Sequence, residues 1–328
     1  MTRWILLLIA TLSLATAANK TVEFYFVDVE GGQATLIVTP NKESILVDAG
    51  WPGFDKRDAH RIMLAAKKAG VKKIDYLITT HFHLDHVGGV QQLAEMMPVI
   101  TFVDHGDNRE TGPPAERLTK SYLEAVKSGK RLTVKPGDKL PLKNVEIEIL
   151  TADGKITDRT GKTNPLCANA KMKEEDPSEN ARSVGFLLTY GKFKFVDLGD
   201  LTWNKELDLA CPANRIGEVD LYLTTHHGSD QSGAPELVHA LKPKVAIMNN
   251  GAKKGGSASA WQIVKSSPGL QDIWQVHFAL AGGKENNVQD MFIANTDEVG
   301  TEHYLHVSAE ASGKFEVINS RNKFKKSY

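Results

Sequence analysis

The sequence predicts an α/β fold. Three observations carry that reading: strand-like and helix-like runs alternate along the 328 residues, no low-complexity linker interrupts them, and one strand-plus-histidine segment occurs in both halves. Residues 22–29 and 34–39 read as strands, and 43–47 adds a third that ends at Asp48-Ala49-Gly50. Between 58 and 68, Ala59, Ile62, Met63 and Ala66 follow the i, i+3, i+4, i+7 spacing of a helix, which Gly70 closes. A strand at 76–80 follows, then a helix at 90–97 stopped by Pro98, and a strand at 99–103. A helix near 115–126 leads into strands at 131–134 and 145–150. Residues 153–179 are polar, contain Pro165 and Pro177, and read as a surface insertion of the kind that forms lids or stays disordered.

The second half repeats the pattern. Strands are predicted at 184–190 and 192–197 around Gly191, with Phe193 and Phe195 alternating with Lys192 and Lys194 as a half-buried strand requires. A strand at 221–225, a helix at 235–241, a strand at 245–248 and a helix at 258–265 follow, and 304–308 with 314–318 reads as a closing hairpin around Gly313. The repeated segment is Asp75-Tyr76-Leu77-Ile78-Thr79-Thr80-His81, echoed by Asp220-Leu221-Tyr222-Leu223-Thr224-Thr225-His226. Each half thus delivers a histidine from the end of a buried strand.

The N-terminus reads as a secretory signal peptide over residues 1–17. Arg3 precedes an apolar run from Trp4 to Ala15, and Ala15-Thr16-Ala17 supplies a small-residue cleavage site. The run is shorter than the ~20 apolar residues that span a bilayer, so a periplasmic or secreted protein with no stable membrane association is expected, its residues 18–328 forming one domain. Lys plus Arg equals Asp plus Glu at 40 each, and cleavage removes only Arg3, so the mature balance is 39 − 40 = −1. No global field recruits nucleic acid, and the basic end at Arg321, Lys323, Lys325 and Lys326 reads as a solvated tail. Cys167 and Cys211 are the only cysteines; the sequence leaves open whether they pair or stay as two buried thiols.

The chemistry concentrates at Thr80-His81-Phe82-His83-Leu84-Asp85-His86-Val87-Gly88-Gly89. In extended backbone, residues two apart point the same way, so His81 and His83 can present two imidazoles to one cation while Asp85 and His86 address a second. The two glycines are read as permitting a tight turn. Imidazole with carboxylate, and no thiolate, favours zinc first, with manganese or iron as alternatives.

The His81-x-His83-x-Asp85-His86 pattern resembles the metal signature of the metallo-β-lactamase superfamily. Asp28-Val29-Glu30-Gly31-Gly32-Gln33-Ala34, Val47-Asp48-Ala49-Gly50, Leu198-Gly199-Asp200-Leu201 and His226-His227-Gly228-Ser229 resemble, in order, the blocks of the hydrolase domain of the ComEC-type competence channel. The resemblance implies a four-layer αββα sandwich of two mixed β-sheets and two divalent metal ions. It makes His81 and His83 ligands of the first ion, Asp85 and His86 ligands of the second, and Asp200 the carboxylate shared by both. Of the final pair, His226 is preferred as the second ion's remaining ligand, because the echo aligns it with His81; His227 is then expected in the cleft, handling substrate or a proton. Asp48 is expected to orient a ligand imidazole, and Asp28 is a weaker candidate.

Two departures from the pattern matter. The wider superfamily supplies a third histidine to the first ion from the region before Asp200, but here that region reads Glu179-Asn180-Ala181-Arg182-Ser183; either Asn180 fills the gap with an oxygen or it merely caps a turn. The competence-type block also has an aspartate where Gln33 stands. Two cations ~3.5–4 Å apart lower the pKa of a bridging water and polarise the bond under attack. His227 or His105 is expected to protonate the leaving group, and the loop at 249–257 to cradle a phosphate or stay a solvated loop. The expected activity is hydrolysis of a phosphodiester, in nucleic acid or a small molecule. The alternatives are a carboxylic ester, lactone or amide hydrolase, or a metal-dependent binding module, and no protein partner is implied.

Overall fold

A computed structural model describes residues 20–297 and 302–328; the expected signal peptide lies outside the described residues. The chain opens with β1 (Thr21–Val27), β2 (Thr35–Val38) and β3 (Ser44–Val47), then α1 (Arg57–Ala69), β4 (Ile74–Ile78), α2 (Leu84–Val87), α3 (Val90–Met96), β5 (Val99–Asp104), α4 (Pro113–Val126) and β6 (Lys130–Thr133). Next come β7 (Glu146–Ala152), β8 (Lys155–Ile156), β9 (Lys162–Thr163), β10 (Gly185–Tyr190), β11 (Phe193–Asp197), α5 (Trp203–Ala210), β12 (Ala213–Asn214), β13 (Leu221–Leu223), α6 (Pro235–Leu241), β14 (Val245–Met248), α7 (Ala258–Lys265), β15 (Asp272–His277) and β16 (Ile293–Asn295). The described chain ends with β17 (Tyr304–Glu310), β18 (Phe315–Asn319) and β19 (Lys325–Ser327).

Two large sheets result. The first runs β19-β18-β17-β1-β2-β3-β4-β5-β6 and the second β16-β15-β14-β13-β11-β10-β7-β8, while β9 and β12 pair apart. Both are mixed: β3 to β6 lie parallel and β11 to β16 likewise, with antiparallel strands on the other side.

The period-2 geometry of a strand explains the layers. On β1, Val22, Phe24 and Phe26 enter a core shared with Phe186, Phe195, Leu223 and Ile247 of the second sheet, whereas Tyr25 and Val27 face a core built with Ile62 of α1, Leu93 of α3 and Tyr122 of α4. A third core joins the outer face of the second sheet to Leu209 of α5, Leu237 of α6 and Val264 of α7. The order is therefore helices, sheet, sheet, helices: the four-layer αββα sandwich expected from the sequence.

The echoed segments occupy matching places. Asp75 at β4 accepts the Ser44 N–H of neighbouring β3 at 3.0 Å, and Asp220 before β13 accepts the Lys194 N–H of neighbouring β11 at 2.9 Å. Residues 153–179 do not hang loose. β9 pairs with β12, a disulfide joins Cys167 to Cys211 beyond α5, and Lys173 N–H donates to Asn204 of α5 at 2.9 Å.

Candidate metal centre

The parallel strands β4 and β13 end on one rim of the sandwich, and the loops that leave them carry the motif residues. After β4 the chain bends at Phe82, and His83, itself extended, leads directly into α2, so Asp85 and His86 follow closely. Gly88 and Gly89 form the turn between α2 and α3, as expected, in dihedrals that any residue can adopt (φ −61, ψ −37 and φ −80, ψ −8). Their role is clearance: a Cβ on Gly89 would lie 2.1 Å from the Ala49 carbonyl oxygen. This contact presses the motif against residues 48–50, where Asp48 adopts a left-handed backbone (φ 57).

Each motif imidazole has its far nitrogen engaged. Asp48 Oδ2 lies 2.7 Å from His86 Nδ1 and also accepts the Thr80 hydroxyl at 2.6 Å, while Asp48 Oδ1 accepts Thr80 N–H at 2.8 Å. Thr80 Oγ1 is 3.0 Å and Ser183 Oγ 3.5 Å from His81 Nδ1. Glu110 Oε1 is 2.9 Å from His83 Nε2. The nitrogens left over converge: His81 Nε2 and His83 Nδ1 are 3.0 Å apart, and His86 Nε2 is 3.2 Å from Asp200 Oδ2.

Asp200 enters from the second sheet on the loop after β11. Its Oδ2 also lies 3.3 Å from His226 Nε2, and its Oδ1 lies 3.3 Å from His227 Nε2. His227 Nε2 is in turn 3.2 Å from His86 Nε2 and 3.3 Å from Asp85 Oδ2. Ligand atoms of Asp85, His86, Asp200 and His227 all lie within 4.8 Å of one another, which makes them a candidate metal site. His81 and His83 sit beside it, their rings 4.1 Å (to His86) and 4.7 Å (to His81) from the next.

The electrostatics follow from crowding. Burial, then the His86 imidazole, holds His81 well below the ordinary histidine range. For His86, burial pulls the same way but Asp200, Asp85 and Asp48 outweigh it and raise it well above that range. Burial pushes against ionisation of Asp200, yet His227, His86 and His226 together hold its carboxyl well below the ordinary range.

The structure separates the two histidines of the pair and fixes the surroundings of His105 and Asp28. His227, not His226, joins Asp85, His86 and Asp200, because the echo with the first half ends at Thr225: His226, His227 and Gly228 all take left-handed backbone (φ 55, 56 and 73), so the ring of the second histidine is the one turned inward. His226 lies on the other side of Asp200, its Nδ1 3.3 Å from Ser232 Oγ. His105 is buried, with its Nε2 2.8 Å from Glu179 Oε2. Asp28 is held beside Arg61 and Glu30, its Oδ1 accepting Glu30 N–H at 2.9 Å, and burial followed by Glu30 pushes its carboxyl up to about 6.

Asn180 does not cap its own turn; Ser178 does, accepting Asn180 N–H at 3.3 Å, and Asn180 Oδ1 is buried with no hydrogen-bond partner among the described residues. Residues that sequence reasoning missed include Glu110 and Glu179; Lys254 lies in the 249–257 loop that the sequence offered as a phosphate cradle. The Lys254 ammonium contacts Asp85 Oδ2 and lies 5.4 Å from the centroid of the Trp51 ring. The amide donors and positive charge of its loop were the signal for it.

Comparison with known proteins agrees with this geometry. The family model described as Metallo-beta-lactamase superfamily matches residues 27–248. The chain belongs to the metallo-beta-lactamase superfamily. It is a metal-dependent hydrolase of that superfamily, and its curated relatives match it at low identity. ComE operon protein 3 of Bacillus subtilis (strain 168) is 25% identical over 247 residues, covering 70% of this chain and 28% of that protein. Recombination protein 2 of Haemophilus influenzae is 24% identical over 250 residues, covering 75% and 26%. The chain thus spans about a quarter of the length of these two relatives. Among solved structures, the metallo-beta-lactamase fold protein YhfI from Bacillus subtilis has a TM-score of 0.47 at 12% identity, covering 78% of this chain and 96% of that one.

Proposed function

We propose that the protein is an exported phosphodiesterase working with two divalent cations. One observation carries the dinuclear reading: Asp200 stands between two donor groups, with its buried Oδ1 short of a well-aligned hydrogen bond, and the inward nitrogens of the three motif histidines face only other candidate ligands, His81 and His83 each other and His86 the side chains of Asp85, Asp200 and His227. Buried carboxylates and imidazoles crowded this closely fit cations. His81 Nε2, His83 Nδ1 and Asp200 would hold the first ion, with the orphaned Asn180 Oδ1 completing its donors; Asp85, His86, His227 and Asp200 would hold the second. Zinc suits this donor set, and manganese or iron remain alternatives.

When bound, the ion pair supplies Lewis acidity, which lowers the pKa of water and polarises the ester under attack. The chain's own residues do the rest. Asp48, Glu110, Thr80 and Ser183 fix the imidazoles before substrate arrives, so no reorganisation is needed. His226 Nε2, beside Asp200 and held through Ser232, is the nitrogen placed to hand a proton to the leaving oxygen. Lys254, at the edge of Asp85, supplies positive charge and the neighbouring loop supplies amide donors, which favours a phosphorylated substrate, nucleic acid or small diester, over a neutral ester.

The Cys167–Cys211 disulfide supports an oxidising destination, in line with the N-terminal signal. No described helix is long and apolar enough to cross a membrane.

The test is a metal-reconstituted screen with bis-p-nitrophenyl phosphate, single-stranded DNA, p-nitrophenyl acetate and nitrocefin, beside Asp200→Ala. Diester turnover that disappears in the variant is the expected result. Turnover of the acetate alone would move the assignment to carboxylic esters, and two bound ions with no turnover would leave a binding module.

A further inference from the structure

His83 is exposed over 28% of its side chain, and within the motif its Nδ1 meets His81 Nε2 at 3.0 Å while its Nε2 points away. The group that does so, Glu110, sits on residues 105–112 between β5 and α4. That segment is tightly tied. Asn108 Oδ1 accepts Glu110 N–H at 2.9 Å, Asn108 Nδ2 donates to Thr119 of α4 at 3.0 Å, and Arg109 N–H donates to Glu179 Oε1 at 2.7 Å. Glu179 is fully buried and also accepts Phe82 N–H at 3.1 Å, besides pairing with His105. One carboxylate therefore clamps the backbone between His81 and His83 to the segment that carries Glu110.

We propose that Glu110 is the positioning residue for the first ion, acting through His83. The inference rests on the dinuclear reading above and extends it to a residue outside the motif. A carboxylate on the far N–H of a ligand imidazole selects the tautomer, fixes the ring and makes the inward nitrogen a stronger donor. Here it selects Nδ1, which faces His81 Nε2 at 3.0 Å. The first ion depends on this help more than the second does. It has an asparagine oxygen where a third imidazole would serve, while the second has two imidazoles and two carboxylates in reach.

Zinc titrated calorimetrically into metal-stripped protein tests this. The wild type is expected to take two ions; Glu110→Gln and Glu110→Ala should weaken one of them by about 10–100-fold and leave the other unchanged, with Glu110→Asp recovering part of the loss. Asp48→Asn, which acts on His86, should weaken the other ion instead. Two ions bound by Glu110→Gln and Glu110→Ala with wild-type affinities overturn the role of Glu110 alone. A wild type that takes a single ion overturns the dinuclear reading and this inference with it.

Discussion

Asp200 is the residue at which both sheets' contributions touch, and its neighbours make separable predictions. Replacing His227 by alanine should remove one bound ion, because its Nε2 lies within 3.3 Å of both Asp85 and Asp200. Replacing His226 should leave both ions in place and lower turnover only, so elemental analysis of the two purified variants decides between the histidines. Sequence alone was misleading here: repetition aligned His226 with His81, and only the left-handed backbone reveals that the repeat breaks one residue earlier. Gly89→Ala is a test of close approach. Its Cβ would fall 2.1 Å from the Ala49 oxygen, so the motif must back away from Asp48. A loss of about 1–3 kcal/mol in urea denaturation is expected, with weaker metal binding alongside. The glycine pair was legible from sequence as a turn; that the turn must be built of glycine comes from packing, which sequence does not encode locally.

At the scale of elements, the insertion is held to α5 by a covalent link. The Cys167–Cys211 bond closes a loop of 44 residues' separation, for which chain entropy predicts about 4 kcal/mol. The double variant Cys167→Ser/Cys211→Ser should therefore melt earlier by calorimetry while keeping its metals, since neither cysteine touches a metal-centre residue. Most elements were legible because their pattern is local: α6, β14 and α7 begin and end where apolar period, Pro235 and Ser257 place them. Others were not. β15 reads as an unremarkable DIWQVH, yet Trp274 is fully buried between β14 and β16, and that burial comes wholly from neighbours distant in sequence. The same holds for α5, whose eight residues become a helix against the second sheet and the insertion. The disulfide was open for a related reason, since pairing needs a distance that spacing does not supply.

For the whole molecule, pH dependence should be set partly by Glu206, buried on α5 with its Oε2 accepting Ala234 N–H at 2.8 Å. Burial raises its carboxyl from 4.5 to about 7. Between those values the unfolded chain gives up the proton and the folded chain keeps it, so the folded state loses relative stability as pH rises through the window and loses no more above it. Glu206→Gln should flatten that slope, the difference between the two proteins changing by on the order of 3 kcal/mol between about pH 5 and about pH 8 in urea melts. An unchanged slope would show that Glu206 is ionised throughout. The placement of the metal donors has a consequence of its own. His81, His83, Asp85 and His86 come from one sheet and Asp200 and His227 from the other, so bound cations would rivet the sandwich across its seam. Zinc should raise the melting temperature and a chelator lower it. On refolding, catalytic competence should return after the secondary structure does, because neither half can grip an ion until the other has docked.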